Sequence, residues 1–354
     1  MTDRARSAPW RIVLRIVVVV GALGLSAFVL ATAFDDLDLA AVGDAIRSLN
    51  DAELIALGST WLLWIAAQGL QTASLIHDLP VRRGVVAFLG PAAVASVIPG
   101  PSDLPVRYRM LTSWGRDRAD ATLSVAAGGV FSIGVKLVMP VLAAVGLLVT
   151  GAPVEGGLRT GVIIALIVGI VVAAAGIVFG SARRTAWVGR RLDPIWRAVL
   201  RLLRKPDRDD LGARLVAMRE QSVETLQGRW LIAAWGTGLT AAARFALLLM
   251  AVRFTGVPED VLGWSQVFVV YALVQGLTVV PLTAGDAGVS EVALIALLTA
   301  AAGSDRVNEV TAAVIVFRLL TWLVIIPVGL VTLAVWRRTV ARASATTRTG
   351  CAEG

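Results

Sequence analysis

The chain has 354 residues, 57% hydrophobic and 16% charged, with a mean hydropathy of +0.77 and a formal net charge of +8. Soluble domains carry about 25% charged residues, so this composition excludes an ordinary soluble enzyme and marks an integral membrane protein. The basic residues flank apolar runs, which makes a membrane surface, not nucleic acid, their counterion.

In chain order, the first apolar run is Ile12–Phe34, preceded by Arg4, Arg6 and Arg11 and carrying Arg15 near its start. It ends in Ala31-Thr32-Ala33, which has the form of a cleavage site. The run exceeds the usual 7–15-residue signal core, so a retained first helix is expected. Leu54–Ile76, Ala121–Val149, Thr160–Phe179, Trp230–Val252 and Thr311–Trp336 are further runs long enough to cross a bilayer, given that a helix needs about 17–20 residues. Val85–Ile98, Trp264–Val280 and Val289–Ala302 are too short or too broken to cross. The stretch 181–229 is expected to be a cytoplasmic connector with a basic amphipathic helix. In it Ile195, Trp196, Val199, Leu200 and Leu203 recur against Arg197, Arg201, Arg204 and Lys205. Residues 337–354 are expected to form a disordered cytoplasmic tail. Trp61, Trp64, Trp230, Trp264, Trp322 and Trp336 fall mostly near span ends, as interfacial aromatics do.

Charge sets the orientation. The N-terminal tail, the stretches 77–120 and 181–229 and the C-terminal tail together hold 26 Lys and Arg. The stretches 35–53, 150–159, 254–263 and 303–310 hold only Arg47, Arg159 and Arg306, beside eleven acids. The positive-inside rule therefore predicts both termini in the cytoplasm. It also makes Val85–Ile98 enter from and return to the inside, and Trp264–Ala302 enter from and return to the outside. The predicted architecture is an all-α polytopic bundle, one membrane domain over 1–354. It has about six full spans and two oppositely oriented re-entrant hairpins, in the manner of an inverted repeat.

The two hairpin turns echo each other. Pro99, Gly100, Pro101 and Pro105 interrupt the first around Asp103, and Pro281, Gly285 and Gly288 interrupt the second around Asp286. Pro and Gly free backbone N–H and C=O groups, which membranes tolerate only against protein or a wet cavity. Inverted repeats of broken helices place a transporter's substrate where the breaks meet. Helices starting near Val106 and Val289 would aim partial positive charge at an anion such as a phosphate.

Three basic residues lie within spans: Lys136, Arg244 and Arg318. An unpaired charge at mid-bilayer costs at least about 2.5–3.5 kcal/mol, so each needs a partner or a task. Glu291 and Asp286 are the natural partners of Arg318, whose guanidinium also suits a lipid phosphate. Lys136 has Asp103 and Asp286 as alternatives. Arg107 and Arg109, after the first break, either grip a phosphate or snorkel to the boundary. No Walker-type loop, Gly-x-Ser-x-Gly elbow or His-Glu-x-x-His is present. With one cysteine, Cys351, and one histidine, His77, neither a disulfide nor a His-rich metal site is expected. His77 is expected to be an interfacial loop residue.

The second half, Val280-Pro281-Leu282-Thr283-Ala284-Gly285-Asp286-Ala287-Gly288-Val289-Ser290-Glu291, then Ala312 to Trp322 with Phe317-Arg318-Leu319-Leu320, then Pro327-Val328-Gly329, resembles the transmembrane region of lysylphosphatidylglycerol synthases. That region also defines stand-alone flippase-like membrane proteins. The family pattern there is a Pro-Gly-Gly-x-Gly-Val-x-Glu turn followed by a helix with an Arg-Leu-Leu core. Gly288, Glu291 and Arg318 match it; Ala284 stands where Pro is usual and Asp286 where Gly is usual. The first hairpin follows the family's Pro-Gly-Arg-x-Gly-Glu-x-x-Arg more loosely. Pro99-Gly100 match, with Asp103 for the Glu and Arg107 or Arg109 for the Arg. Gly128-Gly129 and Ser132 occupy the neighbourhood where many relatives carry a Glu-Arg pair and an Asp.

The resemblance implies movement of a polar lipid, an aminoacylated phospholipid or a polyprenyl-linked one, between leaflets of the plasma membrane, with no cofactor. Asp103, Arg107, Arg109, Asp286, Glu291 and Arg318 would line its path. The synthases carry a separate aminoacyltransferase domain, whereas this sequence ends at Gly354, so lysyl transfer by this chain alone is not expected. The alternatives are a head-group transferase built around Asp103, a non-catalytic partner of a separate glycosyl- or aminoacyltransferase, and an ion-coupled transporter.

Overall fold

A computed structural model describes residues 39–98, 100–150, 229–279 and 284–350, with fragments of 181–194. The expected first span, the span Thr160–Phe179, most of the 181–229 connector, and Pro99 and Pro281 lie outside the described residues. All regular structure among the described residues is helical.

Helix α1 (Leu39–Arg47) leads into α2 (Asp51–Ser74). Asn50 opens α2: its side chain accepts from the Glu53 N–H at 3.0 Å, and Glu53 accepts from the Asn50 N–H at 2.9 Å, a reciprocal capping box. The first hairpin follows as α3 (Val81–Ala95) and α4 (Asp103–Ser113), then the long α5 (Arg118–Thr150). Beyond the connector come α6 (Trp230–Phe254), α7 (Trp264–Leu277) and α8 (Val289–Ala302). Helix α9 (Val307–Arg318) runs through a π turn (Leu319–Leu323) into α10 (Ile325–Gly350).

Among the described residues, four helical stretches are long and apolar enough to cross a membrane: Asp51–Ser74, Arg118–Gly146, Trp230–Phe254 and Ser304–Val340. They coincide with four of the six expected spans. The 14-residue α7 and α8 are each about 21 Å long, short of a hydrocarbon core of about 30 Å. They pack against each other across their break, as α3 packs against α4 across the first.

Two expectations need correction. Pro105 does not interrupt a helix: α4 starts at Asp103 and not near Val106, which places Pro105 in its first turn. An N–H there has no intrahelical acceptor, so proline costs little. The tail also stays helical as far as Gly350, because neither Pro nor Gly occurs between Gly329 and Gly350 to end it.

Apolar helices gain little hydrophobic drive from meeting one another in lipid, so close backbone approach matters more. Helices α2 and α3 cross at Gly69 and Gly84, where a Cβ on Gly84 would collide with the Gly69 carbonyl. Gly329 of α10 lies equally tight on the Leu89 carbonyl of α3. Gly276 of α7 faces Pro140 of α5, a contact a Cβ would narrow to 2.6 Å. The main apolar core joins Leu247 and Leu248 of α6, Val270 of α7, Leu294 and Leu298 of α8, and Val314 of α9. Large apolar side chains at Ile55, Leu62, Val130, Trp235 and Val331 face outward, as lipid-facing positions would.

Candidate functional site

The break between α7 and α8 organises the site. Gly285 (φ +61) and Asp286 (φ +59) are consecutive residues in the left-handed region, and Gly288 (φ +89) opens α8. Glycine enters this region freely, and aspartate is among the few other residues that tolerate it. The family's usual Gly at position 286 therefore has a backbone reason, and the Asp found here adds a carboxylate to the turn.

Glu291, one turn into α8, ties the break to α9. Its Oε2 accepts from the Gly288 N–H at 2.8 Å and the Ser290 hydroxyl at 3.0 Å. Its Oε1 accepts from Arg318 Nε at 2.6 Å. Arg318 Nη2 donates to the Gly285 carbonyl at 2.9 Å, and the guanidinium lies 5.6 Å over the Trp322 ring. Arg318 is thus held on three sides, by a carboxylate, a freed carbonyl and an aromatic face. A Cβ on Gly285 would run into Trp322 Nε1, so only glycine lets the turn close over that indole.

Lys136 of α5 resolves its alternatives in favour of the second break. Its Nζ lies 3.4 Å from Asp286 Oδ2 and donates to the Thr278 carbonyl at 2.6 Å. Arg244 of α6 stands 5.7 Å over Trp64. Arg244, Tyr271, Gln275, Asp286, Ser290 and Arg318 line a cavity of about 20 Å³, room for roughly one water molecule. Among the described residues, three cations, Lys136, Arg244 and Arg318, thus stand with two carboxylates, Asp286 and Glu291, leaving one positive charge in excess.

The first break builds a smaller, separate pair. Asp103 and Arg107, one turn apart on α4, lie 3.6 Å from each other. The Arg107 guanidinium rests against Gly128 of α5, where a Cβ would come within 3.3 Å of Nη1. Gly128 and Lys136 are eight residues apart on α5, about 12 Å along its axis. One helix therefore touches both polar clusters. Gly100 has φ +84 and Pro101 precedes the Ser102 cap of α4. Arg109 is exposed and joins neither cluster.

Two tryptophans expected at interfaces are instead buried: Trp64 is 3% exposed and Trp322 6%, each under a guanidinium. The Arg244–Trp64 pairing is not visible in a linear reading, because the two residues are 180 apart; Arg318 and Trp322, four apart on one helix, are neighbours in sequence. Tyr271 and Gln275 were also missed; one turn apart on an apolar helix, they read as core. Trp230 and Trp264 do sit exposed at helix starts. His77 is exposed in the loop after α2, its Nε2 3.1 Å from Asp78. No cluster of three potential metal ligands occurs among the described residues.

Comparison with curated proteins gives no match. The family model for the lysylphosphatidylglycerol synthase TM region matches residues 12–329, most of the chain and including both breaks. With that match and a polytopic helical architecture, the protein belongs to the lysylphosphatidylglycerol synthase transmembrane-region family.

Proposed function

We propose that this protein moves a polar or anionic lipid, of the glyco- or aminoacyl-phospholipid or polyprenyl-linked kind, between the leaflets of the plasma membrane. Both termini face the cytoplasm, and the hairpins α3–α4 and α7–α8 enter from opposite sides. The observation that carries this reading is the convergence of Lys136, Arg244, Arg318, Asp286 and Glu291, from four helices, on one interrupted stretch of backbone. Charges are expensive in an apolar slab and mark paths for polar cargo there. Freed backbone groups persist at that depth only beside protein or water. The Asp103–Arg107 pair, about 12 Å along α5 from Lys136, supplies a second polar step toward the inner face. A separately encoded glycosyl- or aminoacyltransferase is the natural source of the cargo.

The test is reconstitution into liposomes carrying dye-labelled anionic, zwitterionic and aminoacylated phospholipids, with leaflet exchange read by chemical quenching of the outer dye. Exchange above that of protein-free vesicles is expected for at least one of these lipids and is expected to fall in Lys136→Ala. Rates equal to protein-free vesicles across the panel, with folded protein confirmed by circular dichroism, would refute translocation. The single cysteine, Cys351, reports orientation: an impermeant maleimide should label it only in permeabilised cells.

A further inference from the structure

The charges at the second break are unequally satisfied. Glu291 accepts from Arg318, Gly288 and Ser290, and Asp286 faces Lys136. Arg318 is braced through Nε on Glu291 and Nη2 on the Gly285 carbonyl. Arg244 differs: its Nε is buried with no hydrogen-bond partner among the described residues. Among the described residues no carboxylate lies within ion-pair distance of it. What Arg244 does have is the face of Trp64, which orients the guanidinium plane without using its N–H groups.

A second donor faces the same cavity. Tyr271 is 2% exposed, and its hydroxyl oxygen accepts from Gln275 Nε2 at 2.9 Å. That bond leaves the phenolic proton for another acceptor. Buried donors are normally satisfied, and here, among the described residues, a guanidinium Nε and a phenol O–H both lack an acceptor at the wall of one cavity. With the excess positive charge, what is missing is an oxygen bearing negative charge.

We infer that this cavity is an oxyanion seat in which Arg244 and Tyr271 are the donors, and that its ligand is a phosphate ester. The inference rests on the translocation reading only for the identity of the carrier molecule. Guanidinium geometry favours phosphoryl and carboxylate oxygens, and the cavity of about 20 Å³ admits one oxygen-sized group. One non-bridging phosphoryl oxygen enters, and the remainder of the ester stays outside the cavity. This shifts the phosphate contact from Arg318, which is braced by Glu291, to Arg244, which has no carboxylate partner among the described residues.

Equilibrium binding to the full-length protein tests this, with two probes: inorganic phosphate added to detergent-solubilised protein, and nanodiscs of phosphatidylglycerol against phosphatidylcholine. Phosphate binding shows a seat open to free anions; preference for phosphatidylglycerol alone shows one reached from the lipid. In either arm Arg244→Gln should weaken binding at least tenfold and Tyr271→Phe severalfold. Arg244→Lys should restore it only in part, since an ammonium lacks the fork. Tyr271→Phe keeps the ring that packs 5.8 Å from Phe245, so it reports on the hydroxyl even if Arg244→Gln does not fold. No binding in either arm, or binding unchanged by both substitutions, overturns the seat. Leaflet exchange is measured separately. Lost exchange with intact, Arg244-dependent binding refutes translocation and leaves the seat standing.

Discussion

Glu291 Oε1 and Arg318 Nε lie 2.6 Å apart and join the first turn of α8 to the last turn of α9 across 27 residues of sequence. Both side chains are largely buried, so removing one strands the other. Truncating one member of a buried pair costs about 3–5 kcal/mol. Arg318→Ala should therefore lower the thermal midpoint in detergent sharply. Arg318→Lys should do so as well, because an ammonium cannot reproduce the Nε and Nη2 bonds together. A midpoint unchanged in Arg318→Ala would show the pair to be dispensable.

At Asp286, charge and backbone can be separated. The left-handed φ favours Gly and Asn over Ala by about 1 kcal/mol. Asp286→Asn and Asp286→Gly should both unfold at higher temperature than Asp286→Ala, although all three lose the carboxylate facing Lys136. Equal midpoints for the three variants would mean that the turn carries no conformational strain.

The α6–α7 loop should respond to pH. Glu259 is held below the ordinary carboxylate range, first by the Trp264 N–H at 2.9 Å and further by Arg253. A lowered folded-state value means stability that is present above the ordinary glutamate value of about 4.3 and lost as pH falls through the folded value. Glu259→Gln should therefore lower the thermal midpoint at pH 7, and the gap to the parent should close on acidification below about pH 4. A gap independent of pH would show that the carboxylate's charge is not what braces the loop.

Glycines sort into two classes. A Cβ on Gly84 meets the Gly69 carbonyl, whereas one on Gly134 meets nothing within 4 Å. Gly84→Ala should destabilise by about 1–3 kcal/mol through overpacking. Gly134→Ala should be neutral, or stabilising by about 0.5–1 kcal/mol from helix propensity. Chemical denaturation in mixed micelles compares the two, and equal effects would contradict close packing of α2 on α3.

Much of this was legible in the sequence, for identifiable reasons. Long apolar runs have few alternatives to spanning helices, so four spans appear where expected. The Pro- and Gly-marked breaks also fall between short helices. The Glu291–Arg318 pair was accessible because each charge stood almost alone in apolar surroundings. The choice of Asp286 over Asp103 for Lys136 was not, since only tertiary packing brings α5 to the second break. Nor were the tryptophan platforms beneath Arg244 and Arg318, because tryptophan near a span end reads equally well as an interfacial anchor.

The π turn at Leu319–Leu323 has a consequence for the helix on either side of it. Trp61 Nε1 donates to the Leu320 carbonyl at 2.7 Å, filling an acceptor that the wider turn releases. A π turn amounts to one residue added to an α-helix, and each residue advances the helical phase by about 100°. Arg318 upstream and Gly329 downstream are thereby aimed independently, one at Glu291 and the other at the Leu89 carbonyl. Excising a single residue between them would swing one of these two faces away by over a quarter of a revolution.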